Sequence, residues 1–168
     1  MINNQKLVTV LVNCFNSEHY IHDCLKSLIN QTYSNLQIIV WDNQSTDNTA
    51  KIVNSFYDNR ISYYFSNKFQ NLADARINAL KHSNGDYIAI LDSDDIAHKN
   101  RIENQLQIFL SDTKIGVVAI NQNALQEPLN ADVIQLHVQD SQLCISSPCE
   151  FDINFSHYKV IPYNTTYI

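Results

Sequence analysis

Three short apolar runs set the rhythm of the chain: residues 7–12, 36–41 and 87–91. The first and third are nearly all apolar, and the second is interrupted only by Gln37. β-Branched residues are frequent in all three, which predicts strands buried on both faces of a largely parallel sheet. A fourth run, 61–65, is aromatic and fits a strand nearer the sheet edge. Helical spacing fills the intervals. Tyr20, Ile21, Cys24, Leu25, Leu28 and Ile29 form one stripe, with Asn16 or Ser17 as its N-cap. Ala50, Val53, Phe56 and Tyr57 form a second, capped from Ser45, Thr46 or Asp47. Leu72, Arg76 and Leu80 lie on a third helix, and Ile102, Gln105, Leu106 and Phe109 on a fourth. Strands alternating with helices predict an α/β domain. The rhythm holds to about residues 117–120 and fades beyond Asn121, where only 132–138 alternates as a strand would.

The polar residues fall where the strands end. The first strand runs into Asn13-Cys14-Phe15-Asn16, the second into Asp42-Asn43-Gln44-Ser45, and the third into Asp92-Ser93-Asp94-Asp95. Ligands of open α/β sheets bind at the carboxyl ends of the strands. Ser45, Thr46 and Asp47 are equally well read as helix caps. The third group differs, because three carboxylates within four residues repel one another unless something positive sits among them. Mg²⁺ or Mn²⁺ suits such hard oxygen ligands, taking one or two carboxylates plus substrate phosphates. One carboxylate of Asp92-Ser93-Asp94 would meet the cation and the other the sugar hydroxyls of a ligand.

Composition narrows the field. The 168 residues suffice for one domain with a core, and 45% are hydrophobic. The net charge of −6 argues against a nucleic-acid partner. Only two glycines occur, too few for a dinucleotide-binding or Walker-type phosphate loop. Cys14, Cys24, Cys144 and Cys149 show no metal-type spacing and are expected to be buried free thiols. No apolar run reaches membrane-spanning length and no signal peptide opens the chain, so a cytoplasmic protein is expected.

With these motifs in place, the chain resembles a family 2 glycosyltransferase of the GT-A fold. The stretch from Val8 to Asn16 is similar to the family's opening strand and its Pro-x-(Tyr/Phe)-Asn loop, with Asn13 where proline is usual. Ser27-Leu28-Ile29-Asn30-Gln31-Thr32-Tyr33 matches the turn before the second strand. Residues 38–47, ending Asp42-Asn43-Gln44-Ser45-Thr46-Asp47, resemble a motif usually written Asp-Asp-Gly-Ser-Thr-Asp. Leu72-Ala73-Asp74-Ala75-Arg76 and then Gly85 to Asp95 match the run into the Asp-x-Asp motif. Together they span about 7–120, in family order.

The resemblance implies a metal-assisted, inverting transfer of a hexose-type sugar from a nucleotide-diphosphate donor, expected to be a UDP-sugar, to a saccharide or glycolipid hydroxyl. It implies that Asn13, Cys14, Phe15 and Asn16 line the base pocket and that Asp42 binds the base or ribose. Asp92 would meet the ribose or sugar and Asp94 the metal, with Asp92 and Ser93 completing that loop. Arg76 would approach the diphosphate or sugar, and Glu18 is a further nucleotide contact. Bacterial polysaccharide synthesis, with the full-length enzyme peripherally associated at the inner face of the membrane, is the implied setting.

Residues 1–120 thus form the expected nucleotide-sugar-binding core, and 121–168 the start of a truncated acceptor-side region. No recognisable motif marks the catalytic base; Glu127, Asp132, Asp140, Glu150 and Asp152 are the carboxyl candidates. A nucleotide-sugar-binding fragment without turnover is the main alternative. A nucleotidyltransferase would want a Gly-rich basic loop after the first strand, and a phosphoacceptor receiver domain an acidic pair there; Asn13-Cys14 offers neither. His19 and His22 are read as an exposed helix face, His98 as a lesser candidate for a metal or phosphate, and Trp41 as packing between sheet and helix.

Overall fold

The computed structural model describes residues 6–112 and, beyond them, three strands at Ile115–Ile120, Val133–His137 and Lys159–Ile161. The apolar runs become β1 (Val8–Cys14), β2 (Leu36–Asp42) and β4 (Tyr87–Asp92), and the aromatic run becomes β3 (Ile61–Phe65). Between them lie α1 (Ile21–Ile29), α2 (Thr49–Val53) and α3 (Leu72–Leu80), followed by α4 (Arg101–Ser111) and β5 (Ile115–Ile120). The sheet order is β3-β2-β1-β4-β7-β5-β6, with β6 at Val133–His137 and β7 at Lys159–Ile161. All pairings are parallel except β5 with β6. The chain is therefore an α/β protein with a mostly parallel sheet, as expected. β3 is an edge strand, also as expected, whereas β7, wedged between β4 and β5, had no signature in the sequence.

Alternation along the strands divides the core in two. Val8, Val10, Val12, Ile38, Val40, Ala89 and Leu91 face α1, α2 and α4, meeting Ile21, Leu25, Leu28, Val53, Ile102, Leu106 and Phe109. Leu11, Ile39 and Ile88 face the other way and are covered by Ala79 of α3, with Trp41, Tyr64 and Leu80 packed at the margin. Trp41 thus packs between sheet and helix, its ring beside His82 at 5.9 Å. Each fully buried aliphatic side chain contributes about 1.5–3 kcal/mol, so the first face carries most of the stability.

A buried polar residue of the first strand is paired twice. Thr9 Oγ1, wholly buried, donates to Gln37 Oε1 (2.7 Å) and accepts from Gly85 N (2.9 Å). A side chain at Gly85 would stand 2.6 Å from Thr9 N, so glycine there is dictated by the close approach of two backbones. Cys14 and Cys24 are free and buried, as anticipated; Cys144 and Cys149 lie outside the described residues.

Helix ends depart from expectation. α1 begins one residue after Tyr20 with no side-chain cap, because the Asn16 carboxamide accepts from Thr46 N and the Ser17 hydroxyl bonds that of Ser93. α2 is only five residues long, and Tyr57, assigned to its apolar stripe, is fully exposed. On α3 the buried positions are Ala75 and Ala79, while Leu72 is half exposed. Asn71 caps α3 by accepting from Asp74 N.

Candidate functional site

The three strand-end loops meet at the carboxyl edge of the sheet, because β1 lies between β2 and β4 in register: Asn13 is opposite both Trp41 and Asp92, and Cys14 opposite Asp42. The first two loops interlock. Ser45 Oγ accepts from Asn16 N, and Asn16 Oδ1 from Thr46 N, both at 2.8 Å. Thr49 Oγ1 accepts from Ser17 N at 2.8 Å, and Asp47 Oδ2 from Glu18 N at 3.0 Å. Glu18 Oε2 in turn accepts from both nitrogens of Asn48 (2.9 and 2.8 Å). Ser17 and Ser93 share a buried hydroxyl–hydroxyl bond of 2.9 Å that ties the third loop to the first.

These bonds set the electrostatics. Hydrogen bonds from Asn48 hold Glu18 below the ordinary glutamate value. Desolvation pushes Asp47 up, but bonds from Thr49 and the Glu18 backbone outweigh it and leave the carboxyl low. Burial raises the Cys14 thiol strongly, and it pushes Cys24 up to about 12, helped by the negative Asp95 and Asp94. Neither thiol is a nucleophile at neutral pH. Cys14 Sγ points inward, 3.6 Å from the Trp41 carbonyl, so only its backbone is available to a ligand.

Asp42 is wholly buried. Its Oδ2 accepts from Tyr63 OH and its Oδ1 from Ser45 N, each at 2.7 Å. Burial, followed by this bond, raises the Tyr63 phenol well above its usual value. The residue expected to bind the base or ribose is thus held by two protein donors. Asn43, where the family motif has a second aspartate, pairs with the backbone of Gln70 in both directions: Nδ2 donates to Gln70 O (2.7 Å) and Oδ1 accepts from Gln70 N (2.9 Å). Gln44, where the motif has glycine, sits at φ +71°, a left-handed conformation that glycine adopts without strain. Asn16 also has a positive φ (+49°), which asparagine tolerates. Asn13, where proline is usual, buries both carboxamide atoms without a protein partner among the described residues.

The third loop is arranged differently. Asp92 Oδ1 accepts from Arg76 Nη2 at 2.7 Å, and its side chain is 39% exposed against 12% for Arg76. Arg76 is therefore no surface cation; α3 delivers it to the acidic loop. Asp94 is exposed, and Ser93 is buried beneath it. Among the described residues no three His, Cys, Asp or Glu side chains converge on a point. A cation here would take one or two carboxylates from Asp92 and Asp94 and complete its shell from phosphate and water, which is how Mg²⁺ and Mn²⁺ bind with nucleotides. The donor set fits such an ion. His19, His22 and His98 are exposed; the first two lie beside Glu18 and Asp23, and the His22 ring also meets Phe56 with centroids 5.3 Å apart.

Sequence reasoning had not singled out Tyr63, Gln70 or Phe69. Phe69 lies in the polar segment Ser66-Asn67-Lys68-Phe69-Gln70-Asn71, and an aromatic in such a loop is the signal that would have found it. Its ring meets Phe15 edge to face, with centroids 5.0 Å apart. The candidate base residues Glu127, Asp132, Asp140, Glu150 and Asp152 lie outside the described residues.

Comparison with known proteins bears on the whole edge. The model of Glycosyl transferase family 2 matches residues 9–166. UDP-Glc:alpha-D-GlcNAc-diphosphoundecaprenol beta-1,3-glucosyltransferase WfgD of Escherichia coli is 39% identical over 104 residues, covering 62% of this chain and 41% of that protein. The chain spans about two-fifths of the length of this and other curated relatives it matches. Staphylococcus aureus TarS 1-349 in complex with UDP-GlcNAc superposes with a TM-score of 0.64 at 26% identity, over 73% of this chain and 37% of that one. The mannosyltransferase PcManGT from Pyrobaculum calidifontis, in complex with GDP-Man and Mn²⁺, gives 0.63 at 26% identity, over 68% and 35%.

Proposed function

The chain belongs to glycosyl transferase family 2 and has the GT-A fold, and from that premise we propose that it forms the donor side of an inverting glycosyltransferase. The carrying observation is the convergence of the Asn13–Asn16, Asp42–Asp47 and Asp92–Asp94 loops on one sheet edge, with Asp94 of the last exposed to solvent. Asp94, with Asp92, would hold Mg²⁺ or Mn²⁺. Held there, it would supply positive charge toward the donor's diphosphate. Arg76, already at Asp92, keeps that carboxylate in place and stands close enough to the loop to meet the diphosphate or sugar. Ser93, anchored by Ser17, fixes the backbone between the two aspartates. Asn13, Cys14, Phe15 and Asn16 line the base side through their backbone and the Phe15 ring, while Asp42 and Glu18 shape that pocket by holding the second loop.

In the full reaction the acceptor hydroxyl would attack the anomeric carbon in line while a carboxylate takes its proton; within this chain Glu150 and Asp152 are candidates for that base. A UDP-sugar donor and a lipid-linked saccharide acceptor are supported by the relative from E. coli and by the UDP-GlcNAc complex of TarS. The GDP-Man neighbour shows that the same fold serves another base. Such an acceptor would place the work at a membrane surface, and no helix among the described residues is long and apolar enough to cross one.

Thermal shifts with UDP, GDP and CDP, each with and without Mg²⁺ or Mn²⁺, test this reading. A nucleotide should stabilise the fold only when the metal is present; the absence of a metal-dependent shift with every nucleotide would sink it. Donor hydrolysis by this chain and by a longer one distinguishes a binding fragment from a working enzyme.

A further inference from the structure

The segment between β3 and α3, residues 66–71, is fastened to the end of β2 by unusually specific bonds. Ser66 N donates to the Asp42 carbonyl at 2.8 Å. Four residues on, the Asn43 carboxamide takes both backbone groups of Gln70, donating at 2.7 Å and accepting at 2.9 Å. Asn43 is only 7% exposed, so these bonds are sheltered from water. Ser66 Oγ closes the segment on itself through the Lys68 carbonyl (2.6 Å). The residue so fixed between the two fastenings is Phe69. Phe69 is 60% exposed, and its ring meets that of Phe15, itself 47% exposed, at 5.0 Å and 69°.

Two half-exposed aromatic rings, one from the first strand-end loop and one from 66–71, thus stand together at the edge of a polar site. Burying them would be favourable, and nothing in the described fold covers them. A planar, partly apolar ring of the size of a nucleobase matches that surface, since bases stack on aromatic faces with little regard to their hydrogen-bonding edges. We propose that Phe69 is a wall of the base site beside Phe15, and that Asn43 is the positioning residue that holds it there. This rests on the donor-side reading above and adds to it two residues with roles.

The Asn43 carboxamide is needed because one arm must donate and the other accept. An aspartate, the residue usual in the family motif, would set a carboxylate oxygen 2.7 Å from the Gln70 carbonyl in place of an N–H donor. Asn43→Asp should therefore release the segment although it restores the common residue.

The test is calorimetric titration of this chain with UDP and GDP, and with inorganic pyrophosphate as a probe lacking the base, all in Mg²⁺. Phe69→Ala and Asn43→Asp should each weaken the preferred nucleotide by about five- to a hundredfold, the range of a lost stacking contact. Both should leave pyrophosphate affinity unchanged, and Phe69→Tyr should bind like the wild type. Combining the two substitutions should weaken binding little beyond the stronger single change, because both remove one wall. Unchanged nucleotide affinity in Phe69→Ala overturns the wall. An equal fall for pyrophosphate in Asn43→Asp overturns its positioning role, since general damage to the edge would then explain the loss. Failure of the wild type to bind any nucleotide would instead defeat the donor-side reading itself.

Discussion

The loops that follow β2 and β4 both open on an aspartate at the end of a buried parallel strand, yet they use their carboxylates in opposite ways. After β2, Asp42 accepts from Tyr63 and Ser45, and Asp47 accepts from Glu18 and Thr49. Those acids replace backbone partners that a tight turn leaves unmet. After β4, Asp92 gives one oxygen to Arg76, and Asp94 stands exposed. The lesson is that an acidic cluster is a site only to the extent that the fold leaves its oxygens unspent. One loop spends its carboxylates on scaffold, and the other keeps Asp94 open to solvent.

That contrast can be broken most directly at its buried end. Asp42→Ala should cost about 3 kcal/mol of stability in denaturant unfolding, because it strands the Tyr63 hydroxyl and the Ser45 amide. A loss below about 1 kcal/mol would mean that the β2 loop is not scaffold. Asp94→Ala should do the reverse. Stability should stay within about 0.5 kcal/mol of the wild type, as for an exposed surface change, while the metal-dependent part of nucleotide affinity disappears in titration calorimetry. Unchanged affinity would move the metal site away from Asp94.

Gln44→Gly sharpens the scaffold side. Relief of the left-handed strain, less the added freedom of the unfolded chain, should raise stability by up to about 1 kcal/mol, measurable as a higher Tm. A lower Tm would show that the Gln44 side chain is worth more than its strain. The smallest effect concerns pH. Glu18 and Asp47 have folded-state values depressed below their ordinary 4.5 and 3.8, so the stability they supply is complete above those values. It is lost as the pH falls through the depressed folded values. The stability difference between wild type and Glu18→Gln, followed by Trp41 fluorescence, should therefore narrow under acid; a constant difference would detach Glu18 from the loop.

Much of this was legible in the chain. Uninterrupted apolar runs specify β1, β2 and β4 because strands buried on both faces admit few polar residues, and the aromatic, partly polar 61–65 run reads as an edge for the same reason. The Ile102, Gln105, Leu106 and Phe109 stripe became the buried face of α4. Less legible were the helix starts, since Asn16, Ser17 and Asp47 satisfy the facing loop as readily as a helix terminus. The three-residue β7 carries too short a pattern to be seen, and its place between β4 and β5 depends on pairing across the whole sheet.

By itself, then, the sequence determined the alternation of strand and helix, the two-faced core and the delivery of three polar loops to one edge. These follow from periodicity and from the requirement that buried strands be apolar. Only the tertiary structure decided which polar side chains remain to act on a ligand. The partner of Asp42 is 21 residues away, that of Asn43 is 27, and that of Asp92 is 16. A hydrogen bond is specified by position in space, so no local pattern reveals that Asp42 is spent, that Asn43 grips Gln70, or that Asp94 is left open.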